Sequence, residues 1–227
     1  MSGWNKSKEI ILKEVTFKNK KILDVGCGDG WFSLWCSKYN CYVDAIDPSE
    51  EQINNAKSKI NNVNFFISGG EKIKSLKKNY DLIYFFNSLH HIPKELMAQS
   101  LLESRESLNK NGLVFIIEPI AEGSFHNFVK IIDDETEVRN IAYQQIKDCK
   151  KFNLQIKKEI FYNEIKSFDN AESCINFLKK VDKNRVDLIK NNFKYLFNEF
   201  KNLSTFNNNN KYEFIQPMRL NILSKTN

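Results

Sequence analysis

Short apolar runs alternate with amphipathic stretches through the first half of the chain. Ile22–Val25, Tyr42–Ile46, Val63–Ile67, Tyr80–Phe86 and Leu113–Ile117 are strand-length and rich in Ile, Val, Phe and Tyr. The Tyr80–Phe86 run is nearly unbroken, as in a strand buried on both faces. Between these runs the spacing turns helical. Residues 4–17 carry Ile10, Ile11, Leu12 and Val15 among charges, and Trp31–Tyr39 carries Phe32, Leu34, Trp35 and Cys36. Ser49, with Gln52 three residues on, predicts a capping box after a turn fixed by Pro48. Pro93 opens a further helix that Asn111-Gly112 is expected to stop. Strand alternating with helix five times predicts a parallel, doubly wound sheet with right-handed crossovers.

The pattern then changes. Ser124–Lys151 reads as one amphipathic helical stretch with an acidic knot at Asp133-Asp134-Glu135. Leu154–Tyr162 reads as a strand, and Ala171–Val181 and Arg185–Leu203 as two helices. Asn207–Asn210 is a turn. Tyr212–Ile215 and Met218–Leu223 form a last strand or strand pair interrupted by Pro217. No internal repeat is visible.

Composition narrows the class. At 227 residues and 41% hydrophobic content the chain suits one large domain, or one with a modest appendage. The net charge of +6 is a weak nucleic-acid signal, because only four of 34 basic residues are arginines and the charges alternate in sign. The abundance of Asn, Ile, Lys and Phe points to codon drift rather than a selected basic face. Five cysteines without a C-x-x-C pair suit reduced thiols. The N-terminus shows no apolar leader, and no apolar run reaches membrane-span length. A cytoplasmic protein is expected.

The chemistry concentrates in Lys21-Ile22-Leu23-Asp24-Val25-Gly26-Cys27-Gly28-Asp29-Gly30-Trp31-Phe32, a strand, a glycine turn and a helix start. Such a turn brings backbone close to a nucleotide-like ligand. Asp24 and Asp29 flank it, and no lysine follows as in a phosphate-gripping loop. A pyrophosphate would be repelled there. S-adenosylmethionine, with its ammonium and sulfonium, would not. A nicotinamide fingerprint needs a glycine where Trp31 stands.

This run, Asp47 at the end of the second strand, Tyr80-Asp81-Leu82-Ile83, and Leu108-Asn109-Lys110-Asn111-Gly112-Leu113-Val114 together resemble the class I S-adenosylmethionine-dependent methyltransferases. Ser88-Leu89-His90-His91-Ile92 is similar to the small-molecule and quinone-type, type 11-like branch. The likeness covers residues 18–120. It implies a Rossmann-like, seven-stranded sheet with its last strand antiparallel, a helical lid, and a helical insertion at 163–211 between strands six and seven. A single domain over 1–227 is expected, with core 18–120 and cap segments 121–151 and 163–211. The resemblance implies cofactor contacts from Asp24, Gly26, Cys27, Gly28, Gly30, Asp47, Pro48, Gly70, Glu71 and Asn87. The family's adenine-contacting aspartate is replaced by Gly69, so Glu71 or backbone amides are expected to substitute. His91, His126 and Glu118 are the candidate catalytic groups, Phe125, Phe128 and Tyr143 a candidate aromatic pocket, and no metal-ligand spacing occurs. The expected reaction is methyl transfer to oxygen, nitrogen or activated carbon of a small molecule. Rival readings are an RNA- or protein-directed methyltransferase, a non-catalytic cofactor-binding scaffold, and another reaction on the same cofactor.

Overall fold

The computed structural model describes residues 4–181 and 185–226. The reading of Met1–Gly3 as part of a leaderless start lies outside them. The order of elements is α1 (Asn5–Glu14), β1 (Lys21–Val25), α2 (Trp31–Ser37), β2 (Tyr42–Asp47), α3 (Glu50–Lys57), β3 (Asn64–Ile67), β4 (Tyr80–Phe86), α4 (Lys94–Ser107), β5 (Leu108–Pro119), α5 (Gly123–Val129), α6 (Thr136–Lys147), β6 (Leu154–Phe168), α7 (Ala171–Val181), α8 (Arg185–Asn191), α9 (Phe193–Leu203), β7 (Thr205–Phe206) and β8 (Tyr212–Lys225). The sheet runs β3-β2-β1-β4-β5-β8-β6, with the short β7 paired to β8. The first five strands are mutually parallel, and β8 lies antiparallel between β5 and β6. This is the expected doubly wound sheet, with α7, α8 and α9 inserted before the last long strand. Ser49 caps α3 by accepting from the Gln52 amide at 3.3 Å.

The chain divides into two compact units, one built from residues 11–118, 138–161 and 219–227, the other from 1–10, 119–137 and 162–218. In the first, Leu23, Val25, Ile83, Phe85, Val114 and Ile116 of the parallel strands pack with Met97 and Leu101 of α4 and Ala142 and Ile146 of α6. Each fully buried side chain of this size contributes about 1.5–3 kcal/mol. In the second, Phe125, Phe128, Phe200 and Phe214 form an aromatic core with Ile175, Leu178 and Leu196.

Five boundaries differ by several residues from the sequence expectation. Strand β6 runs on to Phe168, not Tyr162, because Glu164 and Lys166 continue its buried face, so the helical insertion starts at Ala171 and not at 163. Helix α4 stops at Ser107, not at Asn111-Gly112, because Leu108 leaves the helix to pair with Tyr80 and be buried. Asn111-Gly112 instead belongs to a bulge in β5, where the register jumps between Tyr80 and Leu82. A Cβ on Gly112 would lie 2.9 Å from the Tyr80 carbonyl. The stretch 124–151 is broken at the acidic knot, where Asp133 and Glu135 grip Arg185 at 2.7 and 2.8 Å and Asp134 accepts from the Thr136 amide. The 185–203 stretch is two helices meeting at Asn192. β8 is continuous through Pro217, whose carbonyl still accepts from the Ile120 amide at 2.9 Å.

The second unit buries a polar row. Tyr162, Glu164 and Lys166 alternate along one face of β6. Ser7 donates both its amide and its hydroxyl to Glu164 at 2.6 Å, and its hydroxyl lies 2.8 Å from that of Tyr162. The Lys166 ammonium sits 3.1 Å from the centre of the Trp4 ring. Burial pulls the Lys166 pKa from 10.5 down to about 7, against the opposing pull of Glu164. The folded state therefore binds fewer protons than the unfolded chain between pH 7 and 10.5, and stability rises with pH across that window. Lys166→Met should raise the melting temperature, most at pH 7 and below and least near pH 10. A melting series across pH checks this, and a gain independent of pH would contradict it.

Candidate active site

The three glycines after β1 all take left-handed φ, at 72°, 53° and 79° for Gly26, Gly28 and Gly30. Their surroundings differ. A Cβ on Gly26 would lie 2.5 Å from the Ser88 Cβ, and the Ser88 hydroxyl donates to the Val25 carbonyl at 2.5 Å. Gly26 is small because the loops after β1 and β4 touch. A Cβ on Gly30 would meet Ile60 and Phe65 at 2.9 Å. A Cβ on Gly28 meets nothing within 4 Å. Of the three, Gly28 alone opens onto free space.

Asp47 ends β2 beside that opening. Its two carboxylate oxygens accept from the Gly28 and Ser49 amides, each at 2.9 Å, while Pro48 holds the turn. A carboxylate has about four lone-pair sites, so two remain for a ligand. Asp24, on β1, is buried and accepts from the Ser33 hydroxyl at 2.5 Å. Burial pushes its pKa up to about 7; the Ser33 bond opposes this and the Asp47 charge reinforces it. The Cys27 thiol is held far above its usual range by burial and then by Asp24 and Asp47, which leaves it inert.

Two further loops complete the carboxyl edge of the parallel strands. After β3, Gly70 is buried, and a Cβ there would meet Ile92, Ser100 and Val25 at 3.0–3.1 Å. The Glu71 carboxylate folds back over Gly69, into the space a side chain at position 69 would enter. After β4, Asn87 takes φ 52° and donates its amide to the Ile117 carbonyl at 2.8 Å. Its Oδ1 is buried without a hydrogen-bond partner. Such an orphaned acceptor is costly unless a ligand supplies the donor.

A family model described as a methyltransferase domain matches residues 6–176. The chain belongs to the methyltransferase-domain family. Among curated relatives, a ubiquinone biosynthesis O-methyltransferase of Coxiella burnetii is 30% identical over 106 residues, 45% of this chain and 44% of that one. A tRNA U34 carboxymethyltransferase of Nautilia profundicola is 30% identical over 153 residues, 64% of this chain and 45% of that one. The chain thus spans less than half the length of these relatives. Among solved structures, the O-methyltransferase of a trans-AT PKS multienzyme of Brevibacillus brevis, in complex with S-adenosyl-L-homocysteine, superposes with a TM-score of 0.59 at 17% identity. That match covers 97% of this chain and 72% of the other, and shows a shared fold.

In this methyltransferase domain the unit of residues 11–118, 138–161 and 219–227 holds every candidate cofactor residue together with His91 and Glu118, while His126 lies in the other unit. There the His126 Nε2 is 3.3 Å from the Thr136 hydroxyl. Glu118 is buried and accepts from the Ser88 and Leu89 amides at 3.2 and 3.0 Å and is hydrogen-bonded to His90 Nδ1. Burial raises its pKa, but the His90 charge and these bonds outweigh that and hold it below the usual range. A carboxylate so engaged orients its neighbours. His90 is buried and His91 is exposed, with their ring centres 4.1 Å apart. Phe125 and Phe128 do not offer a pocket wall: Phe128 is fully enclosed by Phe200 and Phe214, and Phe125 packs on Phe168 and Phe214. Sequence reading passed over Ser33 and gave Ser88 no role of its own within the Ser88–Ile92 run; both act through contacts with other segments.

The differing surroundings of the glycines give a direct check. Gly28→Ala should cost about 1–2 kcal/mol, the left-handed penalty alone. Gly26→Ala should cost clearly more, because the Ser88 overlap adds to that penalty. Urea unfolding of the two variants compares them; equal losses would contradict the assignment.

Proposed function

We propose that this protein is an S-adenosylmethionine-dependent methyltransferase acting on a small-molecule acceptor, with oxygen as the acceptor atom. The observation that carries this reading is the pairing of Asp47 with Gly28. A carboxylate fixed by two backbone amides, with two acceptor sites spare, stands beside the glycine that opens onto free space. That set suits a ribose, whose two hydroxyls need two acceptors. Asn87 Oδ1 is an orphaned acceptor for an amino or hydroxyl donor, and Asp24 suits the ammonium end of a cationic ligand. Glu71 takes the place the absent aspartate at position 69 would hold and serves the adenine amine. Gly26, Cys27, Gly30, Pro48 and Gly70 shape the loops that carry these groups.

Bound S-adenosylmethionine supplies a methyl group already activated by a sulfonium. The protein's task is to position the acceptor, exclude water and remove one proton. Glu118 holds the loop after β4 through two amides and orients His90. His91, exposed beside His90, is the residue to which this reading gives the proton; its exposure supports that role. The names of the relatives support oxygen as the acceptor atom. The scarcity of arginine and the interleaved charges favour a small acceptor over a nucleic acid, and the five cysteines without a C-x-x-C pair favour a reducing, cytoplasmic setting. Among the described residues no helix is long and apolar enough to cross a membrane.

Incubation with methyl-labelled cofactor and a metabolite extract should yield labelled small molecules and S-adenosylhomocysteine; labelled RNA alone would favour the nucleic-acid reading. Asp47→Ala should weaken S-adenosylhomocysteine at least tenfold in calorimetry, and unchanged affinity would remove Asp47 from the ribose. A ligand ammonium near Asp24 favours the ionised carboxyl, so S-adenosylhomocysteine affinity should fall as pH drops below about 7. Asp24→Asn should flatten that profile.

A further inference from the structure

A largely buried guanidinium and a neighbouring amide with an unspent donor lie on β8. Arg219 is only 5% exposed and Asn221 fully buried. Arg219 Nε donates to Asn221 Oδ1 at 3.0 Å, and its Cζ lies 3.4 Å from the centre of the Tyr143 ring. Among the described residues no carboxylate comes within salt-bridge distance of it. Tyr143 in turn donates to Glu159 at 2.9 Å. Asn221 Nδ2 is buried and meets no acceptor among the described residues, and the one hydrogen bond from Arg219 to a described residue is that from Nε, which leaves its two terminal nitrogens for a ligand. A buried donor left in this state, as Asn221 Nδ2 is, costs about 1–3 kcal/mol.

The location is informative. The Ile120 amide bonds the Pro217 carbonyl. Continuing that antiparallel register by two residues sets Arg219 directly across from Glu118, at the end of β5. Glu118 is committed to His90 and two amides, so it acts on Arg219 by its field and not by contact. Arg219 and Asn221 point to the same face of β8, two residues apart. The stack on Tyr143 fixes the guanidinium plane, so a bidentate partner needs little further ordering.

We propose that Arg219 and Asn221 form an oxyanion subsite that grips a carboxylate on the acceptor, making this a methyltransferase for anionic small molecules. The inference rests on the methyltransferase reading above. It assigns Arg219 to the acceptor and not to the cofactor, whose groups face the ends of β1, β2 and β4.

The test uses the full chain saturated with S-adenosylhomocysteine, whose own affinity is measured first and independently. Benzoate, its neutral isostere benzamide, and inorganic phosphate are then titrated by calorimetry and by NMR of the labelled protein. Benzoate should bind and benzamide should not. Phosphate binding more tightly than benzoate would overturn the carboxylate assignment. Arg219→Gln should weaken benzoate at least tenfold while S-adenosylhomocysteine affinity changes less than twofold. Asn221→Asp places a carboxylate beside the guanidinium from within; it should abolish benzoate binding and raise the melting temperature, which also guards against simple misfolding. Absence of benzoate binding in the wild-type protein that binds S-adenosylhomocysteine normally would overturn the subsite alone. Absence of S-adenosylhomocysteine binding would overturn the methyltransferase reading instead.

Discussion

The close approach of the β1 and β4 loops is the constraint on which the site depends. Ser88 donates to the Val25 carbonyl and its Cβ occupies the space that a side chain at position 26 would need. Gly26 must therefore be glycine, and its left-handed φ turns the chain so that the Gly26 and Cys27 amides reach the Ile46 carbonyl. Three parallel strands are tied together at their carboxyl ends by these few bonds. Gly28 then stands beside Asp47, and Asn87 follows Ser88 at the opposite lip.

Charge is handled at the same edge by commitment of each acid to a distinct set of donors. Asp47 is held by amides, Asp24 by Ser33, and Glu118 by two amides and His90. The consequences differ. Asp24 is pushed toward neutrality by burial. Glu118 stays ionised because His90 and the amides outweigh its burial. Two buried acids in one unit thus hold opposite protonation tendencies, and the difference lies in their donors.

The parallel half of the fold was legible because a strand buried on both faces leaves a continuous apolar run, as Tyr80–Phe86 does, and because Ser49 and Pro93 mark helix starts by local chemistry. The ends were less legible. Leu108 leaves its helix for a partner 28 residues away, and the 124–151 stretch breaks because its acids grip Arg185. Pro217 sits inside a long strand although its residue type argues against one.

The sequence by itself determined the class of fold, the glycine turn, and the acids beside it, since each depends on local periodicity or on a residue type with few alternatives. Only the tertiary structure decided which glycine opens onto free space and which faces Ser88, that Glu118 is bound to His90, that Phe128 is core, and that Arg219 and Asn221 keep unspent donors. Those facts depend on contacts between segments far apart in the chain, and a side chain's identity does not reveal how many partners folding will leave it.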